Sequence, residues 1–232
     1  MGMLLSHNSG LADGLGFPGY EPSEQIPGTL SILKGVSPAK TVAIRQSLPP
    51  MSQSRYSGGG SVVMQQLLMD VTGRSFPELM RSSLLEPLGM VMSTSEELAI
   101  LVRSLHRTVA GEPSKPLSRK LVRDLFRPVG VGSFGTGFNV FQQGEGWYFA
   151  HLGANRGFRS FLMAHQSKGY GLVVMTNGDG GNTLIEKICR RIQKVYEWDV
   201  QQTEGQFRFG PQKGIGCLPN FGATESMPST SG

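Results

Sequence analysis

Two short runs hold the residue types that could carry acyl-transfer chemistry: Tyr56-Ser57-Gly58-Gly59-Gly60 and His151-Leu152-Gly153. A phenol with its ordinary pKa near ~10 is a poor base alone. Beside a cation it can ionise and take a proton from a serine hydroxyl. The triple glycine that follows Tyr56, at a predicted helix start, lets a backbone or a ligand approach closely. A histidine at a strand edge can touch a ligand, and a glycine two residues on removes a side chain from its path. Each run also has a plainer account. Tyr56 could be a core tyrosine beside a flexible turn, and His151 a hydrogen-bonded structural histidine. The remaining histidines, His7, His106 and His165, show no metal-ligand spacing. No metal and no cofactor is expected.

The elements that must position these residues follow from periodicity. Residues 1–55 open on Met3-Leu4-Leu5, which reads as the end of a buried helix. A short helix is expected over Thr29 to Lys34, and the rest is Gly- and Pro-rich loop. Val62, Val63, Leu67, Leu68 and Val71 have helical spacing over Ser61 to Val71, and Gly73 ends that helix. Ser75-Phe76-Pro77-Glu78 is a capping-box pattern for a helix that stops before Pro87, and Ser93-Thr94-Ser95-Glu96 repeats it. Leu98, Leu101, Val102 and Leu105 form an apolar stripe, and a further helix is expected from Ser118 to Phe126. From Ser133 the period changes to two. Phe134 to Phe141, Trp147 to His151, Phe158 to His165 and Tyr170 to Thr176 read as four strands joined by tight turns, hence as neighbours in an antiparallel sheet. A last helix runs from Thr183 to Trp198 with Asn182 as its cap. Helices, then a meander, then a helix make an α+β pattern. Residues 1–199 read as one domain. The Gly-, Gln-, Ser- and Pro-rich stretch 200–232 reads as a disordered tail.

Composition narrows the function classes. The net charge of +5 invites a nucleic-acid reading. The basic residues argue otherwise: Arg119, Lys120, Arg123 and Arg127 surround one predicted helix, and Lys187, Arg190, Arg191 and Lys194 another, as solvated faces do. No nucleic-acid-binding motif accompanies them. The two cysteines, Cys189 and Cys217, form no CxxC or Cys/His cluster, which argues against zinc and excludes a disulfide framework. The first ten residues are too short and polar for a signal peptide, and no apolar run approaches membrane-spanning length. A soluble protein is expected. The compartment stays open, with the cytoplasm favoured.

Taken in order, the segments say more than any one alone. Leu4-Leu5-Ser6-His7-Asn8-Ser9-Gly10-Leu11, Tyr56-Ser57-Gly58-Gly59-Gly60, Leu85-Glu86-Pro87-Leu88-Gly89-Met90, Ser93-Thr94-Ser95-Glu96-Glu97-Leu98-Ala99 and His151-Leu152-Gly153 follow one another along the chain. This succession resembles the serine β-lactamase-like family: class C β-lactamases, penicillin-binding proteins and related esterases. The resemblance runs over about residues 3–198. It implies a β-lactamase/transpeptidase-like fold and a reaction in which a serine of a Ser-x-x-Lys motif attacks an amide or ester carbonyl to form an acyl-enzyme. Tyr56 matches the tyrosine that shares the proton traffic and is the catalytic candidate. Ser57 and Gly58 follow it, with Gly58 where asparagine is often found. His151 and Gly153 match the substrate-wall motif in its His-x-Gly form. Ser57, Gly58, His151 and Gly153 are therefore the substrate-binding candidates, and a small-molecule or peptide acyl compound is the implied substrate.

Two departures qualify that activity. In the family, Ser-x-x-Lys lies upstream of the Leu-Leu-Ser-His segment, and this sequence begins at that segment, so the expectation is a domain truncated at its N-terminus. Leu88-Gly89-Met90 is followed almost at once by Ser93-Thr94-Ser95-Glu96, where relatives carry a long stretch, so an internal deletion is expected near Val91. Ser31-Ile32-Leu33-Lys34 and Ser37-Pro38-Ala39-Lys40 fit the four-residue pattern but stand in the wrong order. The expectation is a catalytically incomplete serine hydrolase homologue. The alternatives are a noncatalytic ligand-binding module or a nonfunctional fragment. A sheet missing strands would expose an edge through which copies could associate.

Overall fold

The computed structural model describes residues 1–12, 19–91, 94–112 and 116–199. Its centre is a four-stranded antiparallel sheet in the order β1-β2-β3-β4: β1 (Asn139–Gln143), β2 (Gly146–Asn155), β3 (Phe158–His165) and β4 (Gly171–Thr176). Period-two alternation gives the sheet two apolar faces. Tyr148, Ala150, Phe161 and Met163 pack with Ile185 and Cys189 of the last helix, α8 (Gly181–Val195). Phe149, Leu162 and Ala164 pack with Val102 and Leu105 of α6 (Ser95–Ala110) and Val122 of α7 (Arg119–Leu125). Phe126 stacks on Phe149 at 4.5 Å between ring centroids. The sheet is thus sandwiched between helices, and the fold class is α+β as expected. Both basic clusters lie on the outer sides of α7 and α8, where most of their members are exposed.

The helices upstream pack on one another and, through the last of them, on α6: α1 (Gly2–Leu5), α2 (Thr29–Lys34), α3 (Gly58–Thr72), α4 (Phe76–Met80) and α5 (Glu86–Leu88). α3 starts three residues before the expected Ser61 because Ser57 caps it, its hydroxyl oxygen accepting from the Gly60 N–H at 2.9 Å. Gly73 ends it in the left-handed conformation at φ 65°. α1 is helical, but Met3 is exposed and Leu4 and Leu5 only half-buried, so it is not the buried helix end expected.

Several boundaries depart from expectation. The Ser75–Glu78 capping box forms, but the helix does not stop before Pro87. It widens into a π-helical turn over Arg81–Leu85 and continues through Pro87 to Gly89. Proline at 87 can neither donate to the fourth carbonyl back nor tolerate it closely, and the wider turn moves that carbonyl away. The second box stands one residue later than expected, on Thr94 and Glu97. Ser93 lies outside the described residues. β1 begins at Asn139, not Phe134. Residues 134–138 form a tight bend, closed by the Gly135 N–H on the Phe138 carbonyl at 2.8 Å. Asn182 does not cap α8: Gly180 holds that position, and α8 ends at Val195. Trp198 packs beyond it, stacked on Tyr170 at 4.5 Å. The expected tail and Cys217 lie outside the described residues.

Among the described residues no helix is long and apolar enough to cross a membrane, and no group of three or more His, Cys, Asp or Glu side chains could hold a metal ion.

Candidate active site

The site begins at the corner after α1. His7 sits at φ 56°, left-handed backbone that few side chains other than Asn, Asp and His adopt. Its carbonyl accepts from the Arg55 N–H at 2.8 Å and that of Asn8 from the Met51 N–H at 2.8 Å, which ties the corner to the chain leading into α3. Asn8 is fully buried. Its side-chain nitrogen donates to the Val129 carbonyl at 2.8 Å and its oxygen accepts from the Val131 N–H at 3.0 Å, fixing the loop that carries Phe134. The result is an aromatic cluster. His7 lies 4.3 Å from the Tyr56 ring, tilted by 39°, and 4.6 Å from Phe134, edge to face. Pairs of this kind contribute about 0.5–1.5 kcal/mol each beyond their burial.

Electrostatics link this cluster to His151. The His7 Nδ1 accepts the Ser57 N–H at 3.2 Å, which places the ring's own hydrogen on Nε2. Burial pushes the His7 pKa down to about 4, and the nearby His151 lowers it further. Burial also lowers His151, partly opposed by its hydrogen bond to the backbone of Leu152. Both imidazoles are neutral at pH 7.

His151 is not at the end of its strand, as the sequence suggested. β2 runs on to Asn155, because β3 continues to pair with it: His151 faces Leu162 and Gly153 faces Ser160. The strand edge is nonetheless there. β1 pairs with β2 only as far as Asn139 opposite Ala150. On that side residues 151–155 have no strand partner among the described residues. A Cβ added to Gly153 would meet the Ser160 oxygen at 2.2 Å, so glycine is what lets Ser160 lie across the strand. Beside His151 a cavity of about 180 Å³ opens between α6 and the sheet.

The other candidates are placed as follows. Tyr56 is half-buried against His7. Ser57 is buried, its hydroxyl donating to the Ala12 carbonyl at 2.9 Å while capping α3. Gly58 is the first residue of α3. Ser31 and Lys34 lie on α2, which packs against α3. Lys40 is held by Glu24 at 2.5 Å, with its ammonium 5.0 Å from the centre of the Tyr20 ring. His7 was the residue that chemistry-first reading passed over. Its signal was its place in the Leu-Leu-Ser-His segment, which marked kinship but not that the ring would pack on Tyr56.

The fold has counterparts among known proteins. Residues 1–91 match the Beta-lactamase family. The match stops at Val91, where the sequence placed its junction, but the likeness of fold goes further. SurE with D-Leu superposes with a TM-score of 0.65 at 18% identity, covering 87% of this chain and 55% of its own. The D-amino acid amidase from Ochrobactrum anthropi SV3 complexed with L-phenylalanine gives 0.60 at 18%, covering 84% of this chain and 71% of its own. A penicillin binding protein from Bacillus halodurans gives 0.62 at 16%, covering 80% and 70%. No curated protein matches. The chain thus spans little more than half the length of SurE. Over residues 1–91 it is similar to the Beta-lactamase family. Beyond Val91 the likeness is one of fold.

Proposed function

We propose that this chain supplies the tyrosine and the substrate wall of a β-lactamase-like acyl-transfer cleft, and that on its own it binds an acyl compound without turning it over. The observation that carries this reading is the engagement of the hydroxyl next to Tyr56: Ser57 caps α3 and donates to the Ala12 carbonyl. Lys40 is paired with Glu24, and none of the described residues lining the cavity beside His151 is a lysine. Tyr56 itself packs against His7, the two rings tilted by 39°. In the related reaction, hydrolysis or transfer of an amide or ester acyl group, Tyr56 would move the proton. His151 and Gly153 would form the wall along which the substrate lies, with Gly58 giving it room. The solved structures of like fold hold D-Leu in SurE, and L-phenylalanine or its amide in the amidase, which favours a small amino acid or its amide as ligand here.

A panel of β-lactams, esters, amino-acid amides and peptides tests this. The expectation is a raised melting temperature with at least one class, lost in His151→Ala, and no product by mass spectrometry. No shift with any member would contradict binding, and product formation would contradict the absence of turnover.

Self-association belongs to the same proposal. β4 has no strand partner on its outer edge among the described residues, and Gly171–Thr176 carries no charge and no proline to block pairing.

A further inference from the structure

The outer side of α8 carries a basic stripe that the acyl-transfer reading does not use. At about 100° per residue, Leu184, Lys187, Arg191, Lys194 and Val195 fall within one sector of roughly 100° of the helix surface. All five are exposed, and so is Tyr196 just past the helix. Among the described residues no ion pair engages Lys187, Arg191 or Lys194. The nearby acids lie off the sector: Glu186 pairs with Arg190 at 3.3 Å, and Glu197 stands beyond the end of the helix.

The other side of α8 is spent on the fold. Ile185 and Cys189 are fully buried against the sheet. A partner therefore meets α8 through the stripe and not through its apolar face. Three cations attract a polyanionic surface of any kind. The apolar residues at the two ends of the stripe select among such surfaces. Leu184 is 52% exposed, Val195 54% and Tyr196 73%. A phosphate backbone gives an exposed leucine or valine little to pack on. A bilayer takes both kinds of side chain at once: the cations stay with the headgroup phosphates while the apolar groups enter the headgroup/acyl boundary.

We propose that the outer face of α8 docks this protein on an anionic lipid bilayer. α6, which walls the cavity beside His151, packs on the opposite face of the sheet from α8. Docking by α8 thus leaves that cavity turned away from the lipid. The inference does not depend on the acyl ligand proposed above.

The test is co-sedimentation of the full chain with vesicles of phosphatidylcholine alone and of phosphatidylcholine mixed with phosphatidylglycerol. Binding is expected to the mixed vesicles only, and is expected to weaken at least roughly tenfold between ~0.05 M and ~0.5 M salt. Lys187→Glu/Arg191→Glu/Lys194→Glu is expected to weaken it at least roughly tenfold. Should that variant fail to fold, Arg191→Gln alone is expected to cost roughly fivefold. Lys120→Glu/Arg123→Glu/Arg127→Glu makes the same change of net charge at exposed positions around α7 and is expected to bind like the parent. Leu184→Ser/Val195→Ser keeps every charge and is expected to weaken binding at least roughly threefold. No binding to the mixed vesicles, equal binding to both kinds, or an equal loss in the α7 variant would overturn the docking face. Binding unchanged in Leu184→Ser/Val195→Ser would overturn lipid as the partner. Stripe-dependent binding of an oligonucleotide, tighter than that of the mixed vesicles, would put a nucleic acid in its place.

Discussion

Protonating His7 should unfasten the corner that holds Tyr56, and the size of the effect follows from the structure. The ring is buried, and its Nδ1 accepts the Ser57 N–H, so an added proton would set donor against donor. The folded pKa of about 4 lies below the ordinary 6.5, so the unfolded chain takes up the proton first. The stability that depends on the neutral ring is therefore fully present above 6.5 and is lost as the pH falls towards 4. At pH 5 an unfolded ring with pKa 6.5 favours the unfolded state about 30-fold over a folded ring near 4, a loss of about 2 kcal/mol. His7→Asn removes the titration while keeping a residue that tolerates the left-handed backbone. Urea unfolding of both proteins at pH 8 and pH 5 reads the effect. The stability gap in favour of the parent should shrink by about 2 kcal/mol on going to pH 5. The other histidines are common to both proteins and largely cancel. A gap that stays constant within about 0.5 kcal/mol would refute the burial and tautomer assigned to His7.

Other expectations follow from single contacts. Gly153→Ala forces the Ser160 hydroxyl aside and should cost about 1 kcal/mol, most of it recovered in the double variant with Ser160→Ala, because the Ser160 Cβ alone lies 3.5 Å from the new methyl; additive costs in urea melts would contradict the contact. Thr94→Ala removes the cap of α6 and should cost about 1 kcal/mol by the same assay. Asp199 accepts from the hydroxyls of Tyr148 and Tyr170, from the Glu145 N–H and from Lys168. Burial pushes its pKa up, but these donors prevail and hold it well below the carboxylate range. Asp199→Asn should therefore cost about 2–4 kcal/mol at pH 7, and a melt unchanged from the parent would show that the clasp contributes nothing. Met175→Lys places a charge on the open β4 strand at an exposed position and should shift any dimer to monomer in size-exclusion chromatography.

Much of this architecture was legible because local signals and global packing agreed. The apolar stripe of α6 and the alternation of β3 each had one consistent period and appear with nearly the expected bounds, and the capping box at Ser75 forms where expected although its helix runs on past Pro87. What was not legible depends on partners distant in sequence. Strand β2 runs past His151 because β3 pairs with it as far as Phe158, and strand β1 starts late because the Gly135 bend closes on Phe138. Neither fact is written in the local alternation. The same holds at the site. Tyr56, His151 and Gly153 are candidates by type and order, whereas His7 is brought against Tyr56 by backbone bonds between residues 7–8 and 51–55 and by the Ser57 N–H on its ring. The state of a buried imidazole follows from its surroundings, which no spacing reveals.

The proposal that this chain binds an acyl compound without turning it over is tested most directly by intact-mass spectrometry after exposure to a fluorophosphonate and to an acylating β-lactam. The account predicts unmodified protein with both. A stoichiometric adduct that disappears in Ser31→Ala or Ser37→Ala would contradict it.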